Sequence, residues 1–156
     1  MKTQNTFGIT SAVLHQGVGI LLCLTLPIWA TASERQVQSL DGQWEIIFDH
    51  HNEGRTAKWH LDKAFSERPD IRTIDVPSCW ELTEKDYEGV AFYRRKFSIP
   101  SGWKDKVVRL QFDAVNFKSE VWLNDQAVGT HEGGFTPFTF RIDPFLRFDD
   151  ANVLTL

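Results

Sequence analysis

The segment that decides the fold is SEVWLNDQAVGTHEGGFTPFTFRI, residues Ser119–Ile142. Its first half reads as two alternating strands, and the Asn124-Asp125 pair between them is typical of a tight hairpin turn. Its second half places Phe138, Phe140 and Ile142 on one face of a further strand. Because side chains on opposite faces of a strand alternate with a period of two, the segment predicts β-sheet structure throughout.

The centre of that segment, His131-Glu132-Gly133-Gly134, allows two interpretations. It could be a metal or phosphate site, or a turn that leads into a strand. It lacks the G-x-x-x-x-G-K-[ST] pattern of a phosphate loop and precedes a strand, where such a loop precedes a helix. We therefore expect the two glycines to serve the backbone, through a positive φ or close packing at a turn or bulge.

The same alternation recurs along most of the remaining chain. In "KVVRLQFDAV", Val108, Leu110 and Phe112 fall on one face, and in "GVAFYRRKFSIP" the odd-numbered residues from Tyr93 to Ile99 do so. "DPFLRF" could form one helical turn, with Asp143 as N-cap and Pro144 at the first helical position. The fold class we predict is all-β, a two-sheet sandwich or jelly roll. The predicted strands outside Ser119–Ile142 are Gly42–Asp49, Thr73–Pro77, Gly89–Pro100, Lys106–Val115 and Asn152–Leu156.

The region between the first two predicted strands, His50–Arg72, is polar and charged. Its apolar anchors are few, which indicates a long and only partly ordered connection. The side chains we expect to anchor it are Trp59, Leu61 and Phe65.

The first 32 residues are expected to be a signal peptide, which leaves residues 33–156 as the folded domain. Lys2 is their single charged side chain, and an apolar run at Val18–Trp29 ends in Ala30-Thr31-Ala32, the small-x-small pattern of a cleavage site. The run is shorter than the about 20 residues of a membrane span, although an uncleaved anchor is the alternative. Cys23 follows the bulky Leu22, which disfavours lipoprotein processing. We predict a secreted or periplasmic protein with no membrane contact after cleavage.

The net charge of the chain bears on its possible partners, and its cysteine content bears on how the fold is stabilised. Lys2 is one of the 17 basic residues, so 16 basic and 21 acidic side chains remain after cleavage, a net charge of −5. That balance disfavours a nucleic-acid partner, which would call for a basic patch. Cys79 is the single cysteine that remains, so stability must come from a hydrophobic core and not from a disulfide.

No catalytic motif can be read from the residues alone. The chain has no G-x-S-x-G elbow, and no sequence cue gives Cys79 an activating histidine, so we expect a packed or half-exposed structural thiol. His50, His51 and His60 lack the spacing of a helical zinc site, so we predict no metal site. The many carboxylates are expected to be solvated, because sequence does not show which two would meet.

Among the tryptophans, Trp80 differs from the others in its surroundings. Trp44 and Trp122 lie inside strand patterns and are expected in the core, although tryptophan faces also suit the apolar face of a sugar ring. Trp80 follows Pro77-Ser78-Cys79 in a loop and precedes the polar run ELTEKDYEG. It is the best candidate for an aromatic side chain near a ligand.

Several of these stretches, in this order, resemble the N-terminal sugar-binding domain of glycoside hydrolase family 2, and most of all its β-glucuronidase and β-galactosidase members. The run from Tyr87 to Leu146 is the most specific part, and the order and spacing of the pieces strengthen the resemblance. The matching pieces are LDGQWEIIFD, IDVPSCWE, YEGVAFYRRKFSIPSGWKDKVVRLQFDAVNFKSEVWLNDQAVGTHEGGFTPFTFRIDPFL and NVLTL.

The resemblance implies a jelly roll that precedes an immunoglobulin-like sandwich and a (β/α)₈ barrel with two catalytic glutamates. Neither glutamate would lie in this chain, so no catalytic residue is assigned. The implied activity of the intact protein is retaining hydrolysis of β-glycosides without a cofactor, and this segment would support the barrel and shape the substrate pocket. The implied partners are a carbohydrate substrate and the chain's own further domains, in an enzyme that could be oligomeric.

The resemblance also points to the loop Pro77–Glu81 as a place where this domain contacts substrate. Its candidate substrate-binding residues are Cys79, Trp80 and Glu81. β-Galactosidase-like members carry an asparagine where this chain has Cys79. A thiol is a weak donor and cannot copy the paired hydrogen bonds of an amide, which argues against a galactoside contact there.

The chain stops at Leu156 inside an apolar strand pattern, so we expect the N-terminal piece of a longer protein. We further expect that last strand to present an unpaired edge and to favour aggregation. The rival hypothesis is a free-standing carbohydrate-binding or adhesion module on the same fold, without catalytic activity.

Overall fold

In the computed structural model, which describes residues 34–156, the chain folds into eight β-strands and one short helix. The predicted signal peptide lies outside the described residues. The helix, α1, spans Asp62–Ser66. The strands are β1 Gly42–Asp49, β2 Arg72–Val76, β3 Val90–Phe97, β4 Arg109–Phe112, β5 Lys118–Leu123, β6 Gln126–Glu132, β7 Phe138–Arg141 and β8 Asn152–Thr155. Each predicted strand is therefore confirmed, with ends that shift by a few residues.

The strands form two antiparallel sheets, one of six strands in the order β2-β1-β3-β8-β5-β6 and one of two strands, β4-β7. β8 lies inside the large sheet, between β3 and β5. The backbone N–H and C=O groups of Leu156 continue its ladder by pairing with Tyr93, at 3.0 Å each. The expectation that the last strand presents an unpaired edge is therefore wrong for β8, which is paired on both sides; the outer strands among those described are β2 and β6. That the domain aggregates stays a prediction.

The main core lies between the two sheets and contains apolar side chains that alternate along the strands, as the sequence predicts. Leu110 of β4 and Val108, which directly precedes this strand, are buried, and Phe112 packs against the same core, as predicted. Tyr93 and Phe97 of β3 also pack against this core. The two sheets thus bury their alternate side chains against each other as a β-sandwich. The buried core residues are Trp44, Ile46, Phe48, Ile74, Val108, Leu110, Val121, Leu123, Ile142 and Leu154.

The opposite face of the large sheet carries a second buried cluster, made of Ile47, Phe92, Trp59 and Phe65. The last two belong to the region between β1 and β2, which therefore covers the sheet and is not a loosely ordered connection. Hydrogen-bonded turns and α1 give this region its structure. The prediction of partial order is wrong because two large aromatic side chains suffice to dock a polar segment on an apolar sheet face.

A buried arginine on β3 fixes α1 against the sheet. The Arg94 side chain is 4% exposed and donates to Glu45 at 2.7 Å, to the Asp62 carboxylate at 2.7 Å and to the Ser66 hydroxyl at 2.6 Å. Its guanidinium also lies 4.2 Å from the ring centroid of Phe65. The planar, multiply donating guanidinium suits such a site because it can satisfy several acceptors at once.

The hairpin between β5 and β6 turns at Asn124 and Asp125, whose φ angles of 52° and 67° confirm the predicted tight turn. The buried Asn124 amide donates to the Asn152 side chain at 2.9 Å and accepts from the Val153 N–H at 3.0 Å. These bonds tie the hairpin tip to the start of β8, a link between residues distant in sequence.

The predicted helical turn after β7 is present as a 3₁₀ turn at Asp143–Phe145, but its capping differs from the prediction. Ile142 occupies the N-cap position, and no side chain caps the turn. The Asp143 carboxylate instead accepts two hydrogen bonds from Arg141, at 2.8 and 2.9 Å. The Val108 N–H also donates to this carboxylate, at 3.4 Å, so its partners lie outside the turn and the guanidinium pair is the stronger, charge-assisted one.

Candidate functional site

The loop that follows β2 carries the three residues predicted to contact substrate. It includes a 3₁₀ turn at Trp80–Leu82, with Cys79 as its N-cap residue. The Leu82 N–H donates to the Cys79 carbonyl at 3.2 Å, and the Thr83 N–H donates to the Trp80 carbonyl at 2.8 Å. These local hydrogen bonds hold the loop in one shape and set the directions of its side chains.

Trp80 anchors this loop to the body of the domain. Its side chain is half-buried and packs against the main core. Its ring meets Phe48 and Tyr87 edge to face, with centroid distances of 6.4 and 5.8 Å. Edge-to-face geometry is a favourable arrangement for aromatic pairs. Trp80 is therefore part of an aromatic cluster and not a freely projecting ring.

Cys79 and Glu81, on either side of Trp80, are exposed and face each other. The Cys79 thiol donates a hydrogen bond to the Glu81 carboxylate. That bond raises the pKa of the thiol and lowers the pKa of the carboxyl. Cys79 is thus an exposed thiol and not the packed or half-exposed one that we expected. It is also a poor nucleophile, because the reactive species is the thiolate and the raised pKa suppresses it.

Tyr93 of β3 is a fourth polar group at this site, and the sequence argument did not select it. Burial raises the pKa of Tyr93 to about 12, and Cys79 and Glu81, both ionised at the high pH where Tyr93 titrates, add to the effect. Its phenol therefore stays protonated at neutral pH and can donate a hydrogen bond. The sequence does contain a signal that could have identified Tyr93. It is a tyrosine at a core-facing strand position, and a buried phenol usually has a polar partner.

The site offers a carboxylate acceptor, a thiol donor and a phenol within one surface region. Such groups are suited to hydrogen bonds with sugar hydroxyls, and Trp80 adds an apolar surface beside them. The structure brings Cys79, Trp80 and Glu81 together as one loop. We define this group, with Tyr93, as the loop site.

The glycines of His131–Gly134 serve the backbone, as predicted. Gly133 has a φ of 137°, a conformation that L side chains rarely adopt. Gly134 is buried, and a Cβ atom there would lie 2.6 Å from the side-chain oxygen of Asn116. The His131 ring stacks on Phe138 at a centroid distance of 4.0 Å. Within residues 34–156 no group of three or more potential metal ligands is found.

Two phenylalanines near this turn are unusually exposed. Phe135 is 92% exposed and Phe117 is 59% exposed. They lie on neighbouring loops, because the Gly133 N–H donates to the Phe117 carbonyl at 2.8 Å. In the part of the chain that the structure describes, no helix is long and apolar enough to cross a membrane.

Comparison with known proteins gives these features a context. Residues 83–156 match the family model described as "Glycosyl hydrolases family 2, sugar binding domain". A beta-glucuronidase of Bacteroides fragilis is 27% identical over 144 residues, which cover 88% of this chain and 19% of that protein. A beta-galactosidase of Bacteroides ovatus is 31% identical over 138 residues, which cover 80% of this chain and 15% of the relative.

Solved structures agree with the sequence comparisons. The beta-glucuronidase of Lactobacillus rhamnosus matches with a TM-score of 0.71 and 32% identity, over 80% of this chain and 21% of that one. A beta-glucuronidase of Ruminococcus gnavus in complex with D-glucuronic acid matches with a TM-score of 0.71 and 28% identity, over 80% of this chain and 22% of the enzyme. The chain thus spans about a fifth of the length of these relatives, and it carries the sugar-binding domain of glycosyl hydrolases family 2.

Proposed function

We propose that this chain is the sugar-binding domain of a retaining β-glycosidase of the β-glucuronidase or β-galactosidase type. The observation that carries the proposal is the fit of the sandwich to beta-glucuronidase structures, with a TM-score of 0.71 over 80% of the chain. In this proposal the sandwich is a galactose-binding-like jelly roll. It supports a catalytic barrel elsewhere in the intact protein, whose substrate is a β-glycoside.

The loop site is the part of the domain that we propose to face the substrate. Its Cys79 and Glu81 side chains are exposed, while Trp80 fixes the loop through the aromatic cluster. A fixed loop can shape one wall of a pocket, because its groups need no ordering when the sugar binds. Catalysis itself needs two carboxyl groups about 5 to 5.5 Å apart in a retaining enzyme. We propose that both belong to the barrel.

A rival function, a carbohydrate-binding module that acts alone, has one observation in its favour. The two exposed phenylalanines, Phe117 and Phe135, present aromatic faces to solvent on neighbouring loops. Large exposed apolar groups often mark a binding surface. Titration of the 156-residue chain with oligosaccharides separates the two functions. A saturable change in tryptophan fluorescence or heat would favour the module, and a supporting domain gives none.

We also propose that the protein is exported. Support comes from the sequence alone, from the apolar run Val18–Trp29 and the Ala30-Thr31-Ala32 pattern behind it. N-terminal sequencing of protein from the culture medium or periplasm tests this. The proposal requires a mature chain that begins at Ser33.

The role of the loop site can be tested in the intact protein with two variants. Glu81→Gln removes the carboxylate charge at the site, and Glu67→Gln removes an exposed carboxylate at the end of α1 as a matched control. If Glu81 contacts the sugar, KM rises about tenfold or more only in the first variant, since a hydrogen bond to a charged group is stronger than one to a neutral group. Equal KM values for the two variants would show that Glu81 does not contact the sugar. They would leave the domain assignment intact.

A further inference from the structure

An open pocket lies at one end of the two-stranded sheet, where β4 begins and β7 ends. Because the two strands are antiparallel, the chain before β4 and the 3₁₀ turn after β7 meet at this end. The Ile142 N–H donates to the Val108 carbonyl there, at 2.9 Å. The pocket has a volume of about 290 Å³ and is lined by residues 104–107 and by Arg141, Asp143 and Phe148. We call it the basic pocket.

The basic pocket is a positively charged site in an acidic domain. Lys2 is one of the chain's 17 basic residues, so residues 34–156 hold 16 basic and 21 acidic side chains. At the pocket, Arg141 already neutralises Asp143 through hydrogen bonds of 2.8 and 2.9 Å. The two lysines of the lining, Lys104 and Lys106, share the pocket with one further carboxylate. The lining therefore carries an excess of positive charge.

A neighbouring arginine adds to this positive potential. Arg109 of β4 lies directly opposite Arg141 of β7. Like charges in directly opposite positions of an antiparallel pair are destabilising. Asp143 balances only one of the two guanidinium charges. An anion bound at this end of the sheet would reduce the repulsion that remains.

Both lysines of the lining are available to a ligand. The side chains of Lys104 and Lys106 are exposed. In the described part of the chain, the lysines that form ion pairs are Lys63 and Lys96. The backbone N–H groups of the two pocket lysines donate to carbonyls of the 3₁₀ turn Ser101–Trp103, at 3.1 Å each. Because the backbone is fixed in this way, less ordering is needed when a ligand binds.

An apolar surface lies beside these charges. Val107 is 59% exposed, and Phe148 is half-buried. Ligand pockets in proteins usually have volumes of about 300 to 1,000 Å³, so the basic pocket suits a ligand of one ring. Ammonium groups form strong hydrogen bonds with anions, apolar side chains cover the face of a ring, and a carboxylate such as that of Asp105 accepts from hydroxyl groups.

We propose that the basic pocket binds a single acidic sugar residue, a pyranose ring that carries a carboxylate or a sulfate group. Lys104 and Lys106 bind the anionic group, and Val107 and Phe148 contact the ring. The basic pocket shares no residue with the loop site, so the proposal is independent of the catalytic assignment. Neutral oligosaccharides lack the anionic group. Titration with neutral ligands therefore still separates a supporting domain from a module that acts alone.

Amide-detected nuclear magnetic resonance with the isotope-labelled 156-residue chain tests the pocket. The ligands are methyl β-glucuronide, methyl β-glucoside 6-sulfate and, as the neutral ring, methyl β-glucoside. We expect saturable shifts of the amide signals of residues 104–107. The dissociation constant of at least one acidic sugar should be lower than that of the neutral sugar by about tenfold or more. The acidic sugar that binds more tightly identifies the anionic group.

Two double variants locate the binding. Replacement of Lys104 and Lys106 by glutamine should weaken binding of the acidic sugar by about tenfold or more. Replacement of Lys63 and Lys118 by glutamine is the matched control, because it removes the same charge from exposed side chains outside the pocket. The control should change the affinity by about twofold or less, since charges more than about 10 Å away are largely screened by salt.

Three results would overturn the proposal. The first is the absence of shifts at residues 104–107 with both acidic sugars, or equal affinity for the acidic and neutral sugars. The second is equal binding by the two double variants, which would place the ligand on another surface. The third is an affinity for sodium acetate equal to that for the glucuronide, which would show a site for simple anions and not for a sugar. None of these results bears on the loop site, which Glu81→Gln tests in the intact protein.

Discussion

Replacement of Arg94 by alanine should destabilise the domain more than any other single arginine change. The side chain is 4% exposed and connects β1, α1 and Phe65. The variant removes three hydrogen bonds to side chains and leaves the carboxylates of Glu45 and Asp62 without their main cation.

The expected loss in the free energy of unfolding depends on how exposed Glu45 and Asp62 are. Breaking a fully buried ion pair typically costs 3 to 5 kcal/mol. Here the side chains of Glu45 and Asp62 are 39% and 35% exposed, so water can solvate both carboxylates after the change. That solvation lowers the expected cost, but the lost packing on Phe65 adds to it. We therefore expect a loss of about 2 to 3 kcal/mol in the free energy of unfolding.

Urea unfolding followed by tryptophan fluorescence measures this loss, and Trp59 lies in the cluster that α1 helps to bury. Arg141→Ala is the matched control, because Arg141 is paired with Asp143 but its side chain is 60% exposed. An exposed pair contributes little, so the control should lose much less stability than Arg94→Ala. Arg94→Lys should fall between the two, since an ammonium keeps the charge but not the fork of donors. A loss for Arg94→Ala no larger than that for Arg141→Ala would refute the role given to Arg94.

Three further predictions concern packing and ionisation. Gly129→Ala places a Cβ atom 2.4 Å from the Phe140 ring, so the free energy of unfolding should fall by about 1 to 3 kcal/mol; an unchanged value would contradict this packing. Absorbance titration should show a tyrosine that ionises at about pH 12 and is lost in Tyr93→Phe. Because this folded pKa lies above the unfolded value of about 10, its contribution to stability should be complete below pH 10 and lost as the pH rises through 12. Glu81→Gln should speed the reaction of Cys79 with a disulfide reagent at pH 7.5, because loss of the carboxylate lowers the thiol pKa; an equal or slower rate would contradict the hydrogen bond.

The sandwich could be predicted from the sequence because its strands are local, periodic patterns. Val108, Leu110 and Phe112 lie on the predicted face, and the Asn124-Asp125 turn closes the predicted hairpin. Each of these features depends on residues close together in the chain. Side-chain alternation and turn chemistry therefore suffice to find them.

The features that the sequence did not reveal depend on long-range contacts. Arg94 was not selected from the sequence, because its partner Asp62 lies thirty-two positions earlier. The interior position of β8 depends on pairing with both β3 and β5, which no local pattern specifies. For the loop site, the sequence predicted Trp80 and its neighbours, which are adjacent in the chain. It did not predict Tyr93, because Tyr93 lies on β3 and is brought near the loop only by the fold.

Hydrolysis of 4-nitrophenyl β-glycosides tests the central claim most directly, with the 156-residue chain and the intact protein assayed side by side. The claim is that this domain serves a retaining β-glycosidase whose catalytic carboxylates lie in another domain. It predicts no turnover by the chain, and hydrolysis of the β-glucuronide or the β-galactoside by the intact protein with retention of anomeric configuration. Turnover by the chain alone, or inversion by the intact protein, would contradict it.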